Sequence, residues 1–291
     1  MLVTKTGAGL PLLLIHGLGS TSRAWAPVLA ALAAEREVWA LDLPGHGGAR
    51  AEDDSDSFVG LARSLEAYLD AEGLTGVDMV GSSLGGQLVL EMARRGKAGA
   101  TVALDPGGFW LGWERMALKS SLTTSLWTVR CIKSALPMLA ERAVSRSLML
   151  ALLSARPWSL DPKLVASELA AFADVTTLDA LIHDLAFGRS QIGPASRGSG
   201  PVTIGWGRHD KLCNPAQAAR AVAAFPGARL HWFENSGHFP MWDEPAEAAA
   251  LILSATGGAS VHSFDLHAVK RRRSASDDSF QSGEPKRRRA G

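Results

Sequence analysis

Short, uninterrupted apolar runs alternate with longer amphipathic segments along most of the chain. Six apolar runs bounded by Gly and Pro predict buried strands at 12–15, 38–41, 77–80, 101–104, 202–206 and 230–233. Five Ala- and Leu-rich segments between them predict amphipathic helices at 23–33, 58–69, 84–95, 215–224 and 246–253. This order of elements predicts the α/β class, with a mostly parallel sheet that carries helices on both faces.

The alternation stops between residues 107 and 200. Strand-like runs are absent there, and many Leu, Ala and Trp residues recur at helical spacings. This segment predicts a helical cap over 108–199, inserted into a core formed by 1–107 and 200–254. Within 114–168, eight Lys or Arg stand against four Asp or Glu. The excess fits a solvated helix face, and it also fits a lid that meets acidic substrates or a lipid surface.

Beyond the last predicted helix, Gly, Ser and charged residues dominate. This composition predicts a disordered basic tail over 255–291, with Lys/Arg clusters at 270–273 and 286–289. Such clusters fit a nuclear-import signal, a nucleic-acid contact or a membrane-surface tether. They fit a solvated tail without any of these roles equally well.

Composition narrows the class of protein. Thirty Lys and Arg against 29 Asp and Glu leave a net charge of +1, so the core is not expected to bind nucleic acid. Cys131 and Cys213 are far apart and lie in no metal-binding spacing, which predicts neither a disulfide nor a metal site. The N-terminus shows no signal-peptide pattern, and together these features predict a cytoplasmic protein.

Ser83 is the candidate nucleophile. It lies in the sequence Gly-Ser-Ser-Leu-Gly at 81–85, which closes an apolar strand and opens a helix. A nucleophile on a sharp strand-to-helix turn needs small neighbours, because its backbone is strained and the helix passes close by. The pattern alone is common in a Gly-rich chain, and its position between strand and helix makes it specific. The alternative is a serine that only caps the helix.

A serine hydroxyl needs a base to accept its proton, and histidine suits that role. His238 follows the last predicted strand and precedes the last predicted helix, whereas His231 lies within a strand, His183 in the cap, and His262 and His267 in the tail. The imidazole in turn needs a carboxylate that fixes its tautomer. Asp210, just beyond the strand at 202–206, is the candidate, and the chain order Ser, Asp, His agrees with this fold. Asp105 is the rival acid, or else a residue that caps the following turn.

Backbone N–H groups must stabilise the oxyanion that forms on the attacked carbonyl. We expect one from Leu84, the residue after the nucleophile. The second is expected from Leu18 in the Gly-rich turn at 16–19, which ends the first predicted strand.

Taken together, these segments resemble the α/β-hydrolase superfamily from about residue 10 to residue 253. The matching segments are HGLG at 16–19, DLPGHG at 42–47, GSSLGG at 81–86, GRHD at 207–210 and GH at 237–238. The resemblance implies an α/β-hydrolase fold, a helical cap over the site, no metal or organic cofactor, and an acyl-enzyme on Ser83. It implies a packing role for His46. Position 83 is Ser, where the haloalkane dehalogenases and epoxide hydrolases of the superfamily carry an Asp nucleophile, and this argues against those two activities.

The chain departs from the fuller family pattern at its start. Only about ten residues precede the first predicted strand, so an edge strand and the usual N-terminal hairpin are expected to be missing.

Three functions remain open. The leading one is a carboxylic-ester hydrolase for small or medium acyl substrates, with an apolar acyl pocket lined by Phe109, Trp110, Trp113 and Trp127. A second is a C–C hydrolase of ring-fission products, which the segment 237–242 resembles and in which a cap arginine, Arg189, would meet a substrate carboxylate. A third is a non-catalytic binding protein on a hydrolase scaffold.

Overall fold

A seven-stranded sheet forms the centre of the molecule. The computed structural model describes residues 1–257, so the basic clusters of the predicted tail lie outside the described residues. The strands are β1 (Leu2–Thr6), β2 (Pro11–Ile15), β3 (Glu37–Asp42), β4 (Val77–Ser82), β5 (Ala98–Leu104), β6 (Val202–Gly207) and β7 (Arg229–Phe233). The six apolar runs predicted as strands are confirmed as β2 to β7. The strand order is β1-β3-β2-β4-β5-β6-β7, and every pair from β3 to β7 is parallel.

The expectation of a missing edge strand is wrong. Residues 2–6 form β1, which pairs antiparallel with β3 and closes that edge of the sheet. No hairpin joins β1 to β2 in the described chain, because β1 lies beside β3 instead. The pattern of residues 2–6 did not reveal the strand because its side chains are mostly exposed and two of them are polar Thr. An edge strand needs no continuous apolar run.

Eleven α-helices surround the sheet within residues 1–257. They are α1 (Ala26–Ala33), α2 (Phe58–Glu72), α3 (Leu84–Arg94), α4 (Trp113–Ile132), α5 (Leu136–Glu141), α6 (Ala143–Met149), α7 (Pro162–Asp174), α8 (Leu178–Phe187), α9 (Ala216–Ala224), α10 (Pro240–Asp243) and α11 (Pro245–Thr256). Helix α11 extends two residues into the segment predicted as tail.

Two apolar clusters cover the two faces of the sheet. One joins α2, α3 and α9 to the strands, through Leu65, Leu88 and Ala218. The other joins α1 and α11 to the opposite face, through Leu32 and Ile252. Burial on both faces explains why β2 to β6 are almost fully buried apolar runs and not alternating ones.

Helices α4 to α8 all lie in the chain between β5 and β6, the segment predicted as a cap. The chain just before α4 and the chain just after α8 meet, because the Gln191 N–H donates a hydrogen bond to the Gly108 carbonyl over 2.9 Å. No helix within the described residues is both long and apolar enough to cross a bilayer.

Candidate active site

Ser83 lies on a strained turn between β4 and α3. Its backbone has φ 56° and ψ −114°, a conformation that L-residues rarely adopt. Glycines make room for the turn. A Cβ on Gly81 would lie 2.0 Å from the Gly85 carbonyl oxygen, and one on Gly85 would lie 2.1 Å from the Ile15 carbonyl oxygen. The strain therefore persists because β2, β4 and α3 pack around a turn that only small residues permit.

The Gly-rich turn after β2 lies directly against Ser83. A Cβ built on Gly17 would be 3.2 Å from the Ser83 Cβ, so the backbone at 16–19 approaches the serine closely. Leu18 and Leu84 both line the same cavity as Ser83. Within residues 1–257, neither the Leu18 N–H nor the Leu84 N–H donates to a backbone carbonyl in a turn or loop. Both predicted oxyanion donors thus lie near Ser83.

His238 and Asp210 form a buried hydrogen-bonded pair. The His238 Nδ1 lies 2.8 Å from Asp210 Oδ2, and both side chains are almost fully buried. Asp210 Oδ1 accepts hydrogen bonds from the N–H groups of Leu212 and Cys213, each over 2.8 Å. These bonds hold the carboxylate in place after β6. His238 lines the same cavity as Ser83, and its Nε2 has no hydrogen-bond partner in the described part of the chain.

Asp105, the rival acid, follows β5 and is fully buried next to Asp210. Its Oδ1 accepts a hydrogen bond from the Gly207 N–H over 2.9 Å, and the structure shows no bond from it to His238. Burial, reinforced by the negative charge of Asp210, raises the pKa of the Asp105 carboxyl well above its usual range. This shift favours the neutral form of Asp105. The geometry therefore favours Asp210 as the partner of the imidazole.

An apolar cavity of about 190 Å³ extends from Ser83 under the cap. Its walls come from the core, from the inner faces of α4 and α7, and from residues 148–153 at the end of α6 and just after it. Among the predicted pocket residues, only Trp110 lines it. Its polar side chains belong to these residues: Ser20, Ser83, Gln87, Ser121, Ser125, Glu168, Cys213 and His238.

Four of the five predicted substrate-binding residues are placed elsewhere. Trp113 and Trp127 lie on the outer face of α4, with 75% and 68% of their surface exposed. Phe109 is buried in the apolar core and does not line the cavity. Arg189 is exposed after α8 and is also absent from the cavity wall. These predictions are wrong because helical spacing does not reveal which face of a cap helix turns inward.

A model of the alpha/beta hydrolase family matches residues 12–251, which is most of the chain. The chain belongs to the alpha/beta hydrolase family. An uncharacterized protein of Mycobacterium bovis is 29% identical to it over 91% of this chain and 82% of that protein.

Solved structures share the fold of this alpha/beta hydrolase. An esterase from Thermogutta terrifontis superposes with a TM-score of 0.67 at 18% identity, over 87% of this chain and 91% of that one. The meta-cleavage product hydrolase CumD from Pseudomonas fluorescens IP01 superposes with a TM-score of 0.65 at 18% identity, over 88% and 93%. The predicted α/β-hydrolase fold is confirmed, and esterases and C–C hydrolases are both among the neighbours of this hydrolase.

Glu168 is a site residue of the hydrolase that the sequence did not reveal. It projects from α7 of the cap and accepts hydrogen bonds from the hydroxyls of Ser20 and Thr21, each over 2.6 Å, and from the Thr21 N–H. Burial raises the pKa of its carboxyl, although these hydrogen bonds partly oppose the shift. The interaction ties the cap to the loop that carries Leu18. A charged residue on a helix gives no sequence signal that it is buried.

His16 and His46 support this loop from behind. Burial, followed by the proximity of His46, lowers the pKa of His16 to about 3, so its ring is neutral. The neutral ring accepts a hydrogen bond from the Leu43 N–H at Nε2, and its Nδ1 lies 2.7 Å from the Gly17 carbonyl. Burial also lowers the pKa of His46, whose ring centroid lies 5.2 Å from that of His16. Both histidines are packing groups that shape the turn.

One group in the described chain brings three potential metal-ligand side chains together: Asp210, Cys213 and His238. Their arrangement does not fit a metal centre. The carboxylate and the imidazole are hydrogen-bonded to each other, and burial raises the pKa of the Cys213 thiol well above its usual range. A thiol must lose its proton to bind a metal ion.

Proposed function

We propose that this alpha/beta hydrolase is a serine hydrolase that cleaves carboxylic esters through an acyl-enzyme. The observation that carries the proposal is the strained Ser83 in the wall of an apolar cavity, shared with His238, whose imidazole is hydrogen-bonded to the buried Asp210. The remaining edge of the imidazole, Nε2, has no other partner among the described residues and is available to accept the proton of the serine.

In this mechanism Ser83 Oγ attacks the ester carbonyl while His238 Nε2 accepts its proton. Asp210 stabilises the imidazolium through Nδ1, and the N–H groups of Leu18 and Leu84 hold the oxyanion. His238 then protonates the departing alcohol, which leaves Ser83 acylated. A water molecule, deprotonated by His238, releases the acid by the same steps and restores the enzyme.

The cavity favours an uncharged acyl group. Among the residues that the structure describes, its walls carry no Lys or Arg and one carboxyl, that of Glu168, which would repel an anionic substrate when ionised. The C–C hydrolase alternative needs a cation to meet the substrate carboxylate, and Arg189 does not reach the cavity. We therefore propose neutral esters of small or medium apolar acids as substrates.

A fluorophosphonate probe tests the proposal, because it reacts with an activated serine. We expect labelling of the wild type and none of Ser83→Ala, with hydrolysis of p-nitrophenyl butyrate reduced by roughly 10⁵-fold or more. Ser82→Ala is the matched control, since Ser82 is the buried last residue of β4 and should leave labelling intact. An unlabelled wild type would support a non-catalytic binding protein. Turnover of a vinylogous diketo acid in preference to esters would instead favour C–C hydrolysis.

A further inference from the structure

Exposed apolar side chains of the described residues are concentrated on the cap. Of 14 large hydrophobic residues with substantial exposure, 11 lie between residues 108 and 199, and the other three are Leu2, Leu10 and Val59. Leu148 and Val144 are 76% and 74% exposed, among the highest values of the set. A protein that stays free in water seldom concentrates its exposed apolar surface on one segment.

Four of these residues form what we call the α6 patch: Val144, Leu148, Leu152 and Trp158. Val144 and Leu148 are four residues apart on α6 and therefore lie on the same face of the helix. Leu148 and Leu152 also line the catalytic cavity, so the cavity reaches the protein surface at the patch. The apolar lining around Ser83 thus continues onto the outside of the molecule.

Cations flank the α6 patch on both sides along the chain. Arg142 precedes α6 and Arg156 follows it; both are exposed, and neither forms an ion pair with a described residue. Arg156 also lines a second groove beside the patch, together with Trp158, His209 and Lys211. None of the described Asp or Glu residues lines that groove. Its basic side chains are therefore placed to bind an anion.

We propose that the α6 patch docks the hydrolase onto an anionic lipid surface, with lipid phosphates bound in the groove of Arg156, His209 and Lys211. Apolar side chains flanked by cations fit both the acyl region and the charged headgroups of such a surface. Trp158 suits the boundary between the two. Docking would place the mouth of the cavity against the lipid, so that an apolar ester could enter without crossing water.

A second copy of the chain fits the patch less well. A twofold interface pairs a surface with itself, so it would gather two copies of Arg142 and two of Arg156 into one apolar interface. An anionic lipid surface meets both the apolar and the basic parts of the patch.

Vesicle binding tests the proposal on the full-length chain. We expect the wild type to float with vesicles of phosphatidylcholine and phosphatidylglycerol, and to bind pure phosphatidylcholine vesicles more weakly. Val144→Ser and Arg156→Gln should each lower the partition coefficient about threefold to tenfold, because one removes an inserted apolar side chain and the other a cation at the surface. Free inorganic phosphate at millimolar concentration should weaken binding only slightly if membrane lipid, and not phosphate alone, is the ligand.

Leu10→Ser and Arg229→Gln are the matched controls. Leu10 is 50% exposed just before β2, and Arg229 is exposed at the start of β7. Both therefore lie at the amino ends of parallel strands, whereas Ser83, Asp210 and His238 lie beyond the carboxyl ends. The basic clusters at 270–273 and 286–289 are unchanged in all four variants, so any difference reports on the patch.

Equal binding by Val144→Ser and Leu10→Ser would overturn the proposal and assign any lipid affinity to the tail. So would a dimer that Val144→Ser dissociates in the absence of vesicle binding. Ser83→Ala should bind vesicles like the wild type, so a failure of docking is distinguishable from a failure of the proposed ester hydrolysis.

Discussion

At the scale of single residues, two buried carboxyls lie side by side, and only one is hydrogen-bonded to the imidazole. Asp210 bonds to His238, whereas Asp105 bonds to the Gly207 N–H and its raised pKa favours the neutral form. The local sequence alone could not separate them, because each follows a strand at the same edge of the sheet. What distinguishes them is which carboxyl reaches the ring of His238, and that depends on how β5, β6 and the loop after β7 pack together.

Substitution separates the two acids. Asp210→Asn should lower kcat by about 10³- to 10⁴-fold, because an amide no longer holds the reactive tautomer of the imidazole. Asp105→Asn should lower kcat by less than about tenfold, because a neutral amide resembles the neutral carboxyl that it replaces. Ester hydrolysis by both purified variants, with circular dichroism to confirm folding, measures this. Comparable losses in the two variants would mean that the carboxyls act as a unit.

At the scale of elements, the apolar runs predicted the sheet well and the cap poorly. Strands β2 to β6 are buried on both faces, so continuous apolar runs mark them to within a few residues. The exposed β1 carries no such signal. On α4, apolar residues lie on both the inner and the outer face, so Trp113 and Trp127 resembled pocket residues although they face outward. Only the packing of the cap against the core decides which face is covered.

The contact of α7 with the loop after β2 makes a second prediction. Glu168→Ala leaves the buried hydroxyl of Thr21 without its acceptor, so the free energy of unfolding should fall by about 2–4 kcal/mol. The loop that carries Leu18 also loses its tie to the cap, and kcat should fall by about ten- to a hundredfold. Glu141→Ala on α5 is the control, because Glu141 is exposed. Urea unfolding measures the first effect and steady-state kinetics the second. If Glu168→Ala and Glu141→Ala had the same free energy of unfolding and the same kcat, Glu168 would have no role in the site.

At the scale of the whole molecule, buried carboxyls link stability to pH. The pKa of Asp105 lies above its value in the unfolded chain, so between these two values the native state binds more protons than the unfolded state. Its contribution to the free energy of unfolding is therefore largest at low pH and is lost as pH rises through that window.

Asp105→Asn removes this titration. The free energy of unfolding of the wild type relative to Asp105→Asn should fall by up to about 1.4 kcal/mol per pH unit above roughly pH 4. Urea unfolding of both proteins between pH 4 and pH 8 measures the difference. A difference independent of pH would show that Asp105 is ionised in the native state, contrary to the expected burial effect.

The hydrogen bond between the two ends of the cap, from Gln191 to Gly108, has a consequence for how such an enzyme diverges. The 84 residues from 108 to 191 are anchored to the sheet like a short loop, because the chain enters and leaves this segment at one place. Insertions, deletions or replacement by another helical unit between these points leave the turn of Ser83 and the loops of Asp210 and His238 on their own strands. Under the proposed function, changes in the cap can therefore alter substrate preference without moving these three residues.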